Sequence, residues 1–250
     1  MFSRWEEFVA WAATVTGPTE SFDESDLRAP VPNPGQVFAV GLNYRDHADE
    51  SGMAHPTTWP PVFTKFPTSI VGPFAEVELP ENGHTDWEVE LVVVIATHAH
   101  HVALEDAWSH VAGVTVGQDL SERILQMASS PPQFSLGKSY PGFGPIGPVL
   151  VTIDELDDPD DLALSCTVNG ETVQSGRTSQ MIFSVPRLIA NLSAVTPLRP
   201  GDIIFSGTPS GVGQARTPQW FLADGDHLVS TIEGIGTIRN RLVDPARVAR

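Results

Sequence analysis

Asp86-Trp87-Glu88-Val89-Glu90-Leu91-Val92-Val93-Val94-Ile95 opens as an alternation of acidic and apolar residues and closes as an unbroken apolar, mostly β-branched run. A period of two in that composition predicts a strand, with Asp86, Glu88 and Glu90 on one face and Trp87, Val89 and Leu91 on the other. Carboxylates crowded on one face repel each other and are costly to desolvate unless a cation sits among them. Alternate residues of a strand lie about 6–7 Å apart, so two such carboxylates can converge on one hard cation. The competing reading is an edge strand with a solvated acidic face, and the pattern alone favours it.

Working outward, composition narrows the function classes. The 250 residues suffice for one sizeable core. With 14 basic and 31 acidic side chains, the net charge of −17 argues against nucleic-acid backbones and anionic membranes as partners. It does not argue against a small anionic substrate beside a local cation. The single Cys166 excludes a disulfide framework and a cysteine zinc cluster, and its alternating surroundings make it a small core residue. No apolar run is long enough to span a bilayer and the N-terminus is no signal peptide, so a soluble cytoplasmic protein is expected.

Residues 2–15 carry Phe2, Trp5, Phe8, Val9, Ala12 and Val15 at helical spacing, and residues 17–36 read as a surface connector. A short strand at 37–40 leads into Gly41-Leu42-Asn43-Tyr44-Arg45-Asp46-His47-Ala48-Asp49-Glu50, a turn entering a helix. His47 and Glu50, three apart, share a helix face, which suits either a general-base dyad or a surface pair. Residues 51–61, rich in Pro and poor in core formers, read as a mobile loop or lid. His98, His100 and His101 have a spacing compatible with metal ligation but read as solvated loop histidines.

Residues 104–111 read as helical. The strand 113–118 ends at Asp119, placed for a site or for an N-cap, and 121–125 reads as helical. Residues 129–148 read as irregular, with Lys138 between Gly137 and Ser139 able to reach an anion, though a lone loop lysine is ordinarily solvated. The later half is strand-rich. Strands are expected at 149–153 and 162–168, and a hairpin turns on Asn169-Gly170. A helix is expected over 181–192 and strands over 226–232 and 236–243. Gly207-Thr208-Pro209-Ser210-Gly211-Val212-Gly213 follows a buried strand and can present backbone N–H groups to a ligand, without the Gly-Lys-Ser/Thr of a Walker loop.

These pieces occur in a particular order: 41–50, Asp86-Trp87-Glu88-Val89-Glu90-Leu91, Gln118-Asp119-Leu120-Ser121-Glu122-Arg123, Gly137-Lys138-Ser139-Tyr140, Pro200-Gly201-Asp202 and 207–213. In that order they resemble the fumarylacetoacetate hydrolase family, in particular its small bacterial-type, acylpyruvase-like members. The resemblance spans about residues 36–243 and implies two parts, an N-terminal helix and connector (1–35) and a catalytic domain (36–250). It implies a mixed α/β, mainly β fold, a β-roll of curled mixed sheets with few helices, working as a homodimer. It places Glu88, Glu90 and Asp119 on Mg²⁺ or Mn²⁺, His47 and Glu50 as a catalytic dyad, and Lys138 facing the bound oxo acid. Arg123 and the Gly207-Thr208-Pro209 backbone would bind substrate. Ala96, the histidine loop and Tyr140-Pro141-Gly142 depart from the family pattern.

The implied chemistry is metal-dependent action on a 2-oxo or 2,4-dioxo acid. Hydrolytic C–C cleavage of an acylpyruvate to pyruvate and a carboxylic acid is the first expectation. The same platform serves oxaloacetate-type decarboxylation and isomerisation or hydration of a ring-cleavage product. An inactive dimeric binding protein is the non-enzymatic alternative.

Overall fold

The structure is a computed structural model, and it describes residues 1–17 and 20–244; the end of the expected 36–250 domain lies outside the described residues. Its strands are β1 (Val37–Val40), β2 (Val62–Thr64), β3 (Ile70–Val71), β4 (Glu76–Glu78), β5 (Thr85–Asp86), β6 (Val89–Ile95) and β7 (Val111–Gln118). They continue with β8 (Ser121–Glu122), β9 (Gly144–Val151), β10 (Ala163–Val168), β11 (Glu171–Arg177), β12 (Ile203–Phe205), β13 (His227–Ile232) and β14 (Gly236–Val243). The helices are α1 (Trp5–Ala12), α2 (Arg45–Glu50), α3 (Arg123–Gln126), α4 (Phe134–Gly137) and α5 (Val185–Val195). This is the expected mixed, mainly β architecture with few helices. One sheet runs β2-β1-β12-β6-β7-β9-β3, a second runs β11-β10-β13-β14-β4, and β5 pairs with β8 alone.

The acidic stretch departs from its expected form in two ways. It is interrupted at Trp87-Glu88, so Asp86 pairs within β5–β8 while β6 starts at Val89. And β6 is no edge strand: it lies between β12 and β7, and every residue of it is buried. Its unbroken apolar end follows from that position, because both faces are covered. Trp87, Val89, Leu91, Val93 and Ile95 pack with Leu164, Cys166, Leu228 and Ile238 of the second sheet. Val92 and Val94 face the other way, onto Val37, Ala39, Ile203 and Phe205, with Phe2 and Trp5 covering that side. The N-terminal aromatics thus seal the outer face of the large sheet. Cys166 is fully buried as expected, and burial pushes its thiol up to about 12.

Local signals account for most other elements. Asn169 (φ 51°) and Gly170 (φ 85°) make the tight turn between β10 and β11. Pro186 sits in the first turn of α5, where its missing N–H costs nothing. Four segments differ from expectation, and the helix expected over 181–192 runs instead over Val185–Val195. Residues 104–110 form 3₁₀ rather than α-helix. Ser121 and Glu122 are paired with β5 before α3 begins. The strand expected from 149 begins at Gly144, because Pro145 and Pro148 mask it while an irregular register with β7 accommodates them.

Candidate active site

Pairing between β6 and β7 creates the acidic cluster. Val89 lies opposite Gln118, and the Asp119 N–H donates to the Glu88 carbonyl at 2.9 Å. The start of one strand and the end of the next therefore deliver Glu88, Glu90 and Asp119 to one place. Their candidate ligand oxygens lie within 4.8 Å of one another, and all three side chains are buried. This is the only such group of three among the described residues; His98, His100 and His101 are exposed.

Cations compensate the crowding incompletely. Lys138 Nζ donates to Glu88 at 2.8 Å and to Asp119 at 2.7 Å. Lys65 Nζ donates to the other Asp119 oxygen at 2.7 Å and to the Lys138 carbonyl. Arg123 reaches Asp86 at 2.6 Å, Glu88 at 2.7 Å and Gln126 at 2.8 Å. Four carboxylates thus face three cations, and Glu90 is the one held only by a neutral donor, the Gly207 N–H at 2.7 Å.

The titration follows from this imbalance. Burial works to raise the Glu88 carboxyl, but Lys138, Arg123 and His47 outweigh it and hold it at about 2. Burial, with Asp119 and Glu88 adding to it, pushes Glu90 well above the carboxylate range. Burial also opposes the charge on Lys138, yet Asp119 and Glu88 raise its pKa, whereas Lys65 is lowered because burial dominates there. A divalent cation suits three hard oxygen donors carrying an uncompensated negative charge, and would stabilise ionised Glu90.

The second wall comes from α2. Asn43 in the preceding turn is buried, donating to the carbonyls of Phe183 (2.9 Å) and Ser206 (2.7 Å) and accepting from the Phe183 N–H (2.8 Å). That pins the helix start, so the i, i+3 pair faces inward. His47 Nδ1 meets Glu50 Oε1 at 2.7 Å, and Glu50 Oε2 accepts the Gly211 N–H at 2.8 Å. With Nδ1 held, Nε2 is the ring nitrogen left for proton exchange. His47, Glu50, Glu88, Arg123, Lys138 and Thr208 all line one cavity of about 590 Å³, bordered by Ser51 and Met53 of the 51–61 loop.

The Gly-rich loop behaves differently from a free anion nest. The Gly207 N–H is engaged by Glu90, and Thr208 Oγ1 donates to the Val89 carbonyl at 2.9 Å while lining the cavity. Pro209 faces Gly176 and is not among the cavity-lining residues. Close packing explains two glycines: a Cβ on Gly211 (φ +107°) would lie 2.1 Å from the Val173 carbonyl oxygen, and one on Gly213 would lie 1.9 Å from that of Trp220. Sequence reasoning missed Lys65, fully buried against Asp119, and left Asp86 without a role although it anchors Arg123. Lys65 ends an otherwise apolar strand run, and that was its only signal.

Comparison with known proteins agrees with this geometry. Residues 36–243 match the family model described as fumarylacetoacetate (FAA) hydrolase C-terminal. The chain is 48% identical over 221 residues to the human "Oxaloacetate tautomerase FAHD2A, mitochondrial", covering 88% of this chain and 70% of that protein. A solved structure from Mycobacterium smegmatis, described as a candidate HpcE protein, superposes with a TM-score of 0.93 at 55% identity, covering 98% of this chain and 87% of the other. Fumarylpyruvate hydrolase from Pseudomonas aeruginosa, solved with Mn²⁺ and pyruvate, gives a TM-score of 0.77 at 31% identity, covering 92% and 94%. The chain belongs to the fumarylacetoacetate hydrolase family.

Proposed function

We propose that this protein interconverts the keto and enol forms of a 2-oxo acid of the oxaloacetate type. The observation that carries it is the oriented His47–Glu50 dyad in one cavity with Lys138 and Glu88, the member of the buried acidic triad that lines that cavity. Glu88, Glu90 and Asp119 would hold Mg²⁺ or Mn²⁺, which when bound supplies a Lewis acid for the oxo-acid head. The chain's own part is proton transfer. Held by Glu50, His47 Nε2 takes a proton from carbon 3, and the charge left on oxygen 2 is balanced by the Lys138 ammonium until His47 gives that proton up to oxygen 2 and returns to its neutral form. Burial of Lys138 excludes water from its side and strengthens that interaction.

The tautomerase named at 48% identity supports this order of readings. Acylpyruvate hydrolysis, the first expectation from sequence, becomes the second reading. The fumarylpyruvate hydrolase at 31% identity favours it, and there His47 would take its proton from water instead. Small 2-oxo acid substrates and a homodimeric working unit belong to the same proposal.

The test follows the enol absorbance of oxaloacetate with chelator-treated protein, with and without Mg²⁺ or Mn²⁺, beside acetylpyruvate cleavage. Metal-dependent enolisation that falls in His47→Ala supports the first reading. Cleavage with no enolisation moves hydrolysis to first place, and activity in neither assay overturns both.

A further inference from the structure

Every cation of the acidic cluster is paired with a carboxylate, but the cavity holds one that is not. Arg216 lines it and makes no ion pair among the described residues, although the chain carries a net charge of −17. Its protein hydrogen bonds go to carbonyls: Nη2 to Val173 at 3.0 Å and Nε to Gly211 at a long 3.4 Å. Glu171 borders a shallower recess together with Arg216 and does not pair with it. Nη1 therefore keeps both of its N–H donors.

The group is also held in place. Its guanidinium carbon lies 5.8 Å from the Trp87 ring centroid and 5.5 Å from that of Trp220, whose rings meet edge-on at 5.4 Å. The Trp87 indole N–H donates to the Gly211 carbonyl at 3.1 Å, the same carbonyl that Arg216 Nε approaches. The N–H of Gly211 is bound to Glu50. One peptide residue thus ties the arginine to the proton-transfer dyad. A planar, permanently charged fork, anchored by aromatic rings and facing a cavity, suits bidentate capture of a carboxylate.

We propose that Arg216 is a specificity-determining residue that binds the substrate's second carboxylate, the one beyond the reacting carbon, so that the site selects dioic 2-oxo acids. The inference rests on the 2-oxo acid reading above and adds to it the class of the distal group. It separates oxaloacetate from an acid of the same shape with an uncharged end, such as 4-methyl-2-oxopentanoate.

Exchange of the carbon-3 hydrogens for deuterium, followed by NMR with Mn²⁺ or Mg²⁺ saturating, applies to both acids. In Arg216→Met we expect KM for oxaloacetate to rise about 10–100-fold, as for loss of a charge-assisted hydrogen-bonded pair. Exchange of 4-methyl-2-oxopentanoate should stay within about twofold of its wild-type rate. Arg216→Lys, which keeps the charge and loses the fork, should fall between. Equal losses with both acids would show that Arg216 only supports the 211–220 loop, and an unchanged KM for oxaloacetate would equally overturn the proposal. Wild-type protein that exchanges neither acid would refute the underlying 2-oxo acid reading, a result distinguishable from failure of Arg216 alone.

Discussion

The cavity has two walls built on different terms. One stands on β6 and β7 in the middle of a sheet, where Glu88, Glu90 and Asp119 are buried and Glu88 and Asp119 are interlocked with Lys65, Lys138 and Arg123. The other is α2, a six-residue helix followed by a 51–61 loop of turns, holding His47 through Glu50 and a single backbone N–H. In the first wall the charges of Glu88, Asp119, Lys138 and Arg123 are paired, so removing one leaves another without a partner, and Glu90 alone has no cationic hydrogen-bond partner. The second is pinned at its start by Asn43 but runs on into a loop whose residues are mostly exposed. Electrostatic work requires fixed charges, whereas proton exchange with an arriving ligand requires a group that can be covered and uncovered.

Removing a member of the fixed wall should produce the largest effect. Asp119→Ala leaves the fully buried Lys65 with no carboxylate and Lys138 with one fewer. Breaking a buried pair costs about 3–5 kcal/mol, and a domain this size loses roughly 2–4 °C per kcal/mol, so the melting temperature should fall by about 10 °C. Calorimetry of the metal-free protein checks this, and a change under 2 °C would show the pair to be unimportant.

Next come the groups facing substrate. Lys138→Ala and His47→Ala should each cost about 10²–10⁴ in kcat, but only Lys138→Ala should also destabilise the metal-free fold. Glu50→Gln should be milder, roughly 10-fold, since the imidazole stays and only its orientation and basicity suffer. If Glu50→Gln lowered kcat as much as His47→Ala, Glu50 would itself be the proton carrier.

Smaller effects come from titration. The Glu88 carboxyl is held at about 2, below its ordinary 4.5, so its pairs contribute stability above pH 4.5 that is lost as pH falls towards 2. Glu90 runs the other way: its carboxyl is raised, so its favourable contribution is complete below 4.5 and disappears as pH rises through the folded value. Glu90→Gln should therefore raise the melting temperature of metal-free protein at pH 8 by about 2–4 °C, a gain that vanishes near pH 4.5. Metal affinity of the wild type should rise with pH as Glu90 gives up its proton. Titration calorimetry in two buffers would show that proton, and affinity independent of pH would contradict it.

The smallest expected change is in the loop. Residues 51–61 should gain hydrogen-exchange protection with Mg²⁺ and oxalate while β6 and β7 do not. Equal protection of both walls in the two states would erase the contrast between them.

How much of this was legible in the sequence divides along the same line. His47 and Glu50 sit three apart on one short helix, so local periodicity found the pair. Glu88 and Glu90 were visible as an acidic alternation, but the alternation favoured a solvated edge. Only long-range pairing with Val111–Gln118 and Ile203–Phe205 makes that strand central. Lys65 has only its place at the end of an apolar run and Arg216 has no local signature, because each acquires its meaning from partners far away in the chain. Asp86 belongs to the visible alternation, but nothing near it in sequence announces the guanidinium of Arg123.

Strand β12 carries a consequence for how the molecule is made. It lies between β1 and β6, pairing Val37 with Ile203 on one side and Val94 with Ile203 on the other. A ribosome has therefore released two strands of the sheet long before the strand that joins them. Until residues 203–205 emerge, β1 and β6 each present an apolar open edge, the kind of surface that recruits other chains. Glu90 waits for the same moment, since its backbone partner Gly207 arrives just behind that strand. The large sheet and the acidic half of the site are therefore completed together, late in the chain, by one short segment.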